Sequence, residues 1–224
     1  LALGAIHGLR RYLDSAYPGL PLFALGHSMG SFLMQDYLVE HGESLSGAVL
    51  SATSNTLGPL RALGRLLMRI EALLLGPRHP SALAEALSFK AFNKVFEPAR
   101  TGFDWLSRDP AEVDAYIVDP LCGFRCSARL WADLFAAGAG FGAPDRLARI
   151  TKTLPIRLIC GSADPVSQGE QGPTKLAAAY TAAGIPEVTV RAWQDGRHEL
   201  LNDVCRDEVS ADLLGWIAAH TPAR

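Results

Sequence analysis

At 224 residues, with 49% of them apolar, the chain has the length for one large domain and the material for a substantial core. Its 21 Lys and Arg against 23 Asp and Glu leave a formal charge of -2 with the bases dispersed, which excludes a basic nucleic-acid-binding face. The longest apolar run, 66–75, is interrupted by Arg69 and Glu71, which excludes a membrane-spanning helix there.

Residues 1–16 carry a helical pattern through Leu3, Ile6, Leu9 and Leu13, and it stops at Tyr17-Pro18-Gly19. The chain opens at Leu1 inside this pattern, with no charged segment leading into an apolar one, so a natural N-terminus is expected upstream and a cytoplasmic location is the expectation. A strand over 21–26 follows, then Gly26-His27-Ser28-Met29-Gly30, then a helix over 31–41 that Gly42 would close. A second apolar strand covers 47–52. Between Ser54 and Arg149 only helix-like stretches occur, at 58–75, 81–96, 109–118 and 127–137. Asp109-Pro110-Ala111-Glu112 is a helix start, with a capping Asp, Pro in first position and Glu in third. Then come a strand over 156–161, a helix over 174–183 with Pro173 in its first turn, a strand over 187–193 and a helix over 207–220.

Strand and helix alternate at both ends, which predicts an α/β fold with a mostly parallel sheet and helices on both faces. The helical block 54–149 then reads as a cap inserted between two strands of a single domain whose core is 1–53 and 150–224.

Gly26 to Gly30 fits Gly-x-Ser-x-Gly between a strand and a helix, the context of a nucleophile elbow. Such a turn is strained, so small residues are expected on both sides of Ser28, and the Met29 N–H is left to meet an oxyanion. A serine hydroxyl needs a base, and the base needs an orienting carboxylate. Asp164 follows the strand 156–161 and His198 follows the strand 187–193, so both stand at strand ends, where open α/β sheets bind ligands. The order Ser28, Asp164, His198 is that of α/β hydrolases. His27 is expected to point away from the serine tip, and His7, His41, His79 and His220 to be solvated or packed on helices. The four cysteines match no zinc or redox spacing, so neither a metal nor a cofactor is expected.

These segments resemble the α/β-hydrolase family of lysophospholipases and monoacylglycerol lipases, also labelled serine aminopeptidase-like (S33). The resemblance runs through Gly-His-Ser-Met-Gly at 26–30, Asp164-Pro165-Val166, and Gly196-Arg197-His198-Glu199 with Leu201-Asn202-Asp203. It extends to two cap segments, Phe103-Asp104-Trp105-Leu106-Ser107-Arg108-Asp109 and Asp119 to Phe124. It implies the triad Ser28, Asp164, His198, the C-terminal portion of the hydrolase fold, and long-chain acyl esters as small-molecule substrates. The family carries further strands before the first helix found here, with a loop that supplies a second oxyanion donor. Without them the strand 21–26 would present an unpaired apolar edge, so this chain alone is expected to be marginally stable and weakly active or inactive.

The expected activity is serine carboxylester hydrolysis of monoacylglycerols or lysophospholipids. Peptidase or acyltransferase chemistry on the same fold, and a silent protein that holds a hydrophobic ligand, are the alternatives. In the cap, Arg61, Arg65 and Arg69 recur every fourth residue beside a broad leucine face. This predicts either a helix packed over the sheet or one that makes weak contact with a membrane surface.

Overall fold

The computed structural model describes residues 2–58 and 60–221. Leu1 and Pro59, which belong to two of the expected helices, lie outside the described residues. The elements in order are α1 (Ala2–Ala16), β1 (Phe23–His27), α2 (Met29–His41), β2 (Gly47–Ser51), α3 (Arg61–Leu75), α4 (Ala82–Leu87) and α5 (Phe89–Lys94). They continue with α6 (Pro110–Val118), α7 (Ala128–Ala137), α8 (Pro144–Leu147), β3 (Ile156–Gly161), α9 (Gln171–Ala182), β4 (Val188–Trp193) and α10 (Arg206–Ala219).

The strands form one parallel sheet in the order β1-β2-β3-β4, with Leu25 opposite Val49 and Leu50 opposite Leu158. Alternation along β2 divides the core. Ala48 and Leu50 join Tyr37 and Leu38 of α2 and Leu176 and Tyr180 of α9 on one face. Val49 joins Ile159, Trp193 and the α10 residues Val209, Leu213 and Trp216 on the other. Residues of β2 and β3 are almost wholly buried because helices cover both faces, the arrangement parallel sheets need. Leu3 and Ile6 of α1 pack at the margin of the first core. Among the described residues β1 pairs with β2 alone, so its other side is a sheet edge.

Two local expectations need correction. The stretch 81–96 is two short helices, because the backbone turns away from helix at Ser88, whose hydroxyl and N–H both bond the Ala84 carbonyl. Gly42 keeps right-handed helical angles and leads into a further tight turn over Gly42–Ser44, so α2 has no left-handed glycine cap. Among the described residues six helices, α3 to α8, fill the span between β2 and β3. Among the described residues no helix is long and apolar enough to cross a membrane.

Candidate active site

Gly26 stands in β1 where its neighbours leave no room for a side chain. A Cβ there would stand 2.5 Å from the Gly30 carbonyl oxygen. Gly30 is different: a Cβ would meet nothing within 4 Å among the described residues. The expectation of small residues on both sides of the serine is thus a steric need at Gly26 only. Ser28 sits at φ 51, ψ -121, a left-handed position rarely taken by a residue with a side chain. Such strain costs on the order of 1–3 kcal/mol and persists only where surrounding bonds over-determine it. Here the Ser28 N–H donates to the Ser51 carbonyl at 3.0 Å, and the Ser28 carbonyl accepts from the Ser31 N–H at 2.9 Å and the Ser31 hydroxyl at 2.6 Å.

The turn lifts the Ser28 hydroxyl to the C-terminal edge of the sheet, where the loops after β3 and β4 also end. Those two loops lie close together: a Cβ on Gly161 would overlap the Gly196 carbonyl, and the Ala163 N–H donates to that carbonyl at 3.0 Å. The structure thereby brings Ser28, His198 and Asp164 into one hydrogen-bonded chain. His198 Nδ1 lies 2.9 Å from Asp164 Oδ1, and His198 Nε2 lies 2.9 Å from Ser28 Oγ. A carboxylate only accepts, so Nδ1–H is the donor to Asp164 and Nε2 is left to accept from the serine hydroxyl.

Asp164 and His198 are both buried. Burial pushes the Asp164 carboxyl up, but His198, the Ser167 hydroxyl at 2.7 Å and the Val166 N–H at 3.0 Å together outweigh it and hold the group below the ordinary carboxylate range. A buried, ionised carboxylate facing an imidazole favours the imidazolium when a proton arrives. Met29 opens α2, and the N–H groups in a helix's first turn have no partner inside the helix. Its amide stands in that first turn, next to Ser28.

His27 does not stand apart, contrary to the sequence reading. Its ring centroid is 4.8 Å from that of His198, and its Nδ1 is 3.1 Å from Ser51 Oγ, which holds the ring there. Burial first, then His198, push its pKa down to about 3, while Asp164 pulls weakly the other way. It is therefore a neutral wall beside His198.

The opposite wall comes from the cap. Trp105 packs 4.7 Å from the His198 ring. Its carbonyl accepts from the His198 N–H at 3.3 Å, and the Leu106 carbonyl accepts from the Glu199 N–H at 2.8 Å. Asp203 locks this join. Its carboxylate, wholly buried, accepts from Arg108 Nε at 2.7 Å and from the Arg108 and Arg197 N–H groups. Burial raises the Asp203 pKa, but its bonds with Arg108 prevail and lower it. The Arg197 guanidinium donates to the Asp104 and Ser107 carbonyls. The sequence marks the segment 103–109 as part of the cap but does not show this task. The run of Trp, Arg and Asp before the α6 cap was the available signal.

A cavity of about 410 Å³ is lined at one point by Met29, the residue after Ser28. Phe32 and Leu33 of α2 and Leu130 and Leu134 of α7 line it together with the charged Asp36, Arg129 and Asp133, and Phe141 stacks on Phe32. It lies within the usual range for small-molecule sites.

Residues 6–204 match the family described as serine aminopeptidase, S33. A monoacylglycerol lipase of Mycolicibacterium smegmatis is 26% identical over 209 residues, which cover 91% of this chain and 64% of that protein. The chain thus spans just under two thirds of that relative. A highly thermostable carboxyl esterase from Bacillus coagulans, solved with glycerol, is similar with a TM-score of 0.87 and 26% identity, over 97% of this chain and 70% of that one. The monoacylglycerol lipase of Paleococcus ferrophilus has the same fold, with a TM-score of 0.69 at 21% identity, over 98% of this chain and 75% of that one. The chain belongs to the serine aminopeptidase S33 family and has an α/β-hydrolase fold.

Proposed function

We propose that the protein is a serine carboxylester hydrolase that cleaves lipid-like esters, monoacylglycerols or lysophospholipids, through an acyl-enzyme on Ser28. The observation that carries this reading is the unbroken chain Ser28–His198–Asp164, with both links at 2.9 Å. Ser28 Oγ attacks the ester carbonyl as His198 Nε2 takes its proton. Asp164 holds the imidazole and steadies its charged form. The Met29 N–H meets the oxyanion, an interaction that in comparable sites is worth on the order of 3 kcal/mol. His198 returns the proton to the leaving alcohol, and water, activated the same way, clears the acyl group.

The substrate class rests on the cavity. Met29, Phe32, Leu33, Leu130, Leu134 and Phe141 give it an apolar wall that suits an acyl chain, and Asp36, Arg129 and Asp133 a charged one that suits a polar headgroup. The relatives named lipases and esterases favour the same class. Because among the described residues Met29 is the one oxyanion donor this reading assigns and β1 lies on a sheet edge, turnover by these 224 residues alone is proposed to be weak.

Hydrolysis of 4-nitrophenyl esters of rising acyl length, 1-monoacylglycerol, lysophosphatidylcholine and an aminoacyl anilide tests the reading. Preference for the medium and long esters, lost in Ser28→Ala, is expected. Cleavage of the anilide in preference to every ester would overturn it.

A further inference from the structure

The two carboxylate oxygens of Asp164 keep different company. Oδ1 accepts from His198 at 2.9 Å and from the Val166 N–H at 3.0 Å. Oδ2 accepts from the Ser167 hydroxyl at 2.7 Å and from the Ser167 N–H at 3.3 Å. The two N–H bonds are local turn bonds of a kind aspartate often makes. The hydroxyl is a different matter. It makes the shorter bond at Oδ2, and apart from His198 it is the one side chain among the described residues that donates to this carboxylate.

The backbone fixes this hydroxyl from both sides. Ser167 is 0% exposed. Its carbonyl accepts from the Gly172 N–H at 3.0 Å, and a Cβ on Gly172 would stand 2.4 Å from that oxygen, so the first turn of α9 lies directly on it. On the other side the chain reverses through Gln168 at φ 57 and Gly169 at φ 61, and the Gly169 N–H returns to the Asp164 carbonyl at 2.9 Å. A left-handed glutamine persists only where its surroundings over-determine it. Among the described residues the Ser167 hydroxyl bonds nothing but Asp164.

A triad aspartate has to present one oxygen to the imidazole in one direction. Rotation of the carboxylate about its last bond turns that oxygen away from Nδ1. A short bond at Oδ2 resists the rotation, because it ties the far oxygen while Oδ1 faces His198. We propose that Ser167 is a positioning residue of the ester-hydrolase site: its hydroxyl orients the Asp164 carboxylate, and through it the tautomer and direction of His198. This inference rests on the reading of Ser28, His198 and Asp164 as the working triad. It has a consequence for pH. The Asp164–His198 pair takes up a proton as one unit, and a donor removed from its anionic end makes the unit bind that proton at higher pH. Of the groups facing the pair, His27 from the elbow is pushed down to about 3 and Cys160 of β3 up to about 12, so both stay neutral over that range. Trp105 from the cap carries no charge. Arg197 and Glu199 turn to the cap carbonyls and to Asn202, and Glu170 at the head of α9 is exposed.

Saturation kinetics of Ser28 labelling by a fluorophosphonate, followed over the pH range in which the pair titrates, tests this. Ser167→Ala removes the donor, Ser167→Cys fills the space with a weak donor, and Ser167→Thr keeps a hydroxyl. A hydrogen bond to a charged group is worth roughly tenfold or more, so Ser167→Ala and Ser167→Cys should react roughly tenfold more slowly at saturation. Their affinity for the reagent should be unchanged and their acid limb should lie at higher pH. Ser167→Thr should stay within a few-fold of wild type, with the acid limb in place. Proton NMR of His198 Nδ1–H reads the same bond without the reagent: its low-field resonance should shift in Ser167→Ala and hold in Ser167→Thr. Thermal midpoints establish that each variant is folded. A folded Ser167→Ala with the wild-type acid limb and resonance would overturn the inference and leave the triad standing, even if it reacted slowly, since lost packing alone does that. A folded Ser167→Thr with the acid limb of Ser167→Ala would overturn it as well. A folded wild type that takes no label would overturn the triad reading, and this inference with it.

Discussion

The indole of Trp105 lies against the imidazole of His198, ring centroids 4.7 Å apart and planes inclined by 37°. With His27 on its other side, the base of the proposed triad is held between a ring from the cap and a ring from the sheet. Displacements of about 1 Å at such a base can cost 10²-fold in rate. Trp105→Ala is therefore expected to slow covalent labelling of Ser28 by a fluorophosphonate by roughly 10²-fold. Trp105→Phe keeps a ring and removes an indole N–H that is buried without a partner, so it should label within a few-fold of wild type. Equal, near-wild-type labelling of both variants would remove Trp105 from the account. Circular dichroism of each variant separates displacement from unfolding.

Asp203 ties the histidine loop to the same cap segment. Asp203→Ala would leave the partly buried Arg108 guanidinium and two backbone N–H groups without their acceptor. Breaking a buried pair from one side costs about 3–5 kcal/mol. Urea unfolding should show a loss of this size, and Arg108→Ala, whose guanidinium is partly exposed, should cost less than Asp203→Ala.

His27 makes stability depend on pH in a definite direction. Its pKa falls from 6.5 in the unfolded chain to about 3 in the fold. Between those values the unfolded chain binds the proton and the folded chain does not. The stability it contributes is complete above pH 6.5 and declines as the pH falls, by about 1.4 kcal/mol per pH unit, until about pH 3. Urea titrations at pH 6.5 and pH 5 should differ by about 2 kcal/mol more in wild type than in His27→Phe. The same pH slope in both proteins would place the burden on another group.

The two glycines of the elbow should respond differently. Gly26→Ala drives a methyl group onto the Gly30 carbonyl and should abolish labelling of Ser28. Gly30→Ala meets open space inside α2, where alanine favours helix by up to about 1 kcal/mol. Retained labelling with an equal or higher melting temperature is expected for Gly30→Ala. A dead, well-folded Gly30→Ala would mean that substrate, rather than the fold, needs that space.

The contrast between these positions also says what a sequence can carry. Ser28, Asp164 and His198 were locatable because each follows a strand with its own local signature, and parallel strands end on one edge. His27 and Trp105 were not. Trp105 acts through the way the cap segment settles on the histidine loop, and His27 through the way Ser51 turns its ring toward that loop, contacts between residues far apart in the chain. The leucines of α3 advertised an amphipathic helix, but periodicity cannot say which face turns inward. Two contacts decided it: Gly64 lets the helix approach Phe135 of α7, and Glu71 accepts from the Ser81 hydroxyl on that side. The break at Ser88 escaped for a similar reason, since serine tolerates a helix until its hydroxyl and N–H find a nearby carbonyl.

The central claim is covalent catalysis by Ser28 with His198 as its base. Incubation with a fluorophosphonate, followed by mass spectrometry of the tryptic peptides, tests it most directly. The account predicts one adduct, on Ser28, absent from Ser28→Ala and lost or strongly slowed in His198→Ala. A folded protein that takes no label, or a label that persists in Ser28→Ala, would contradict it.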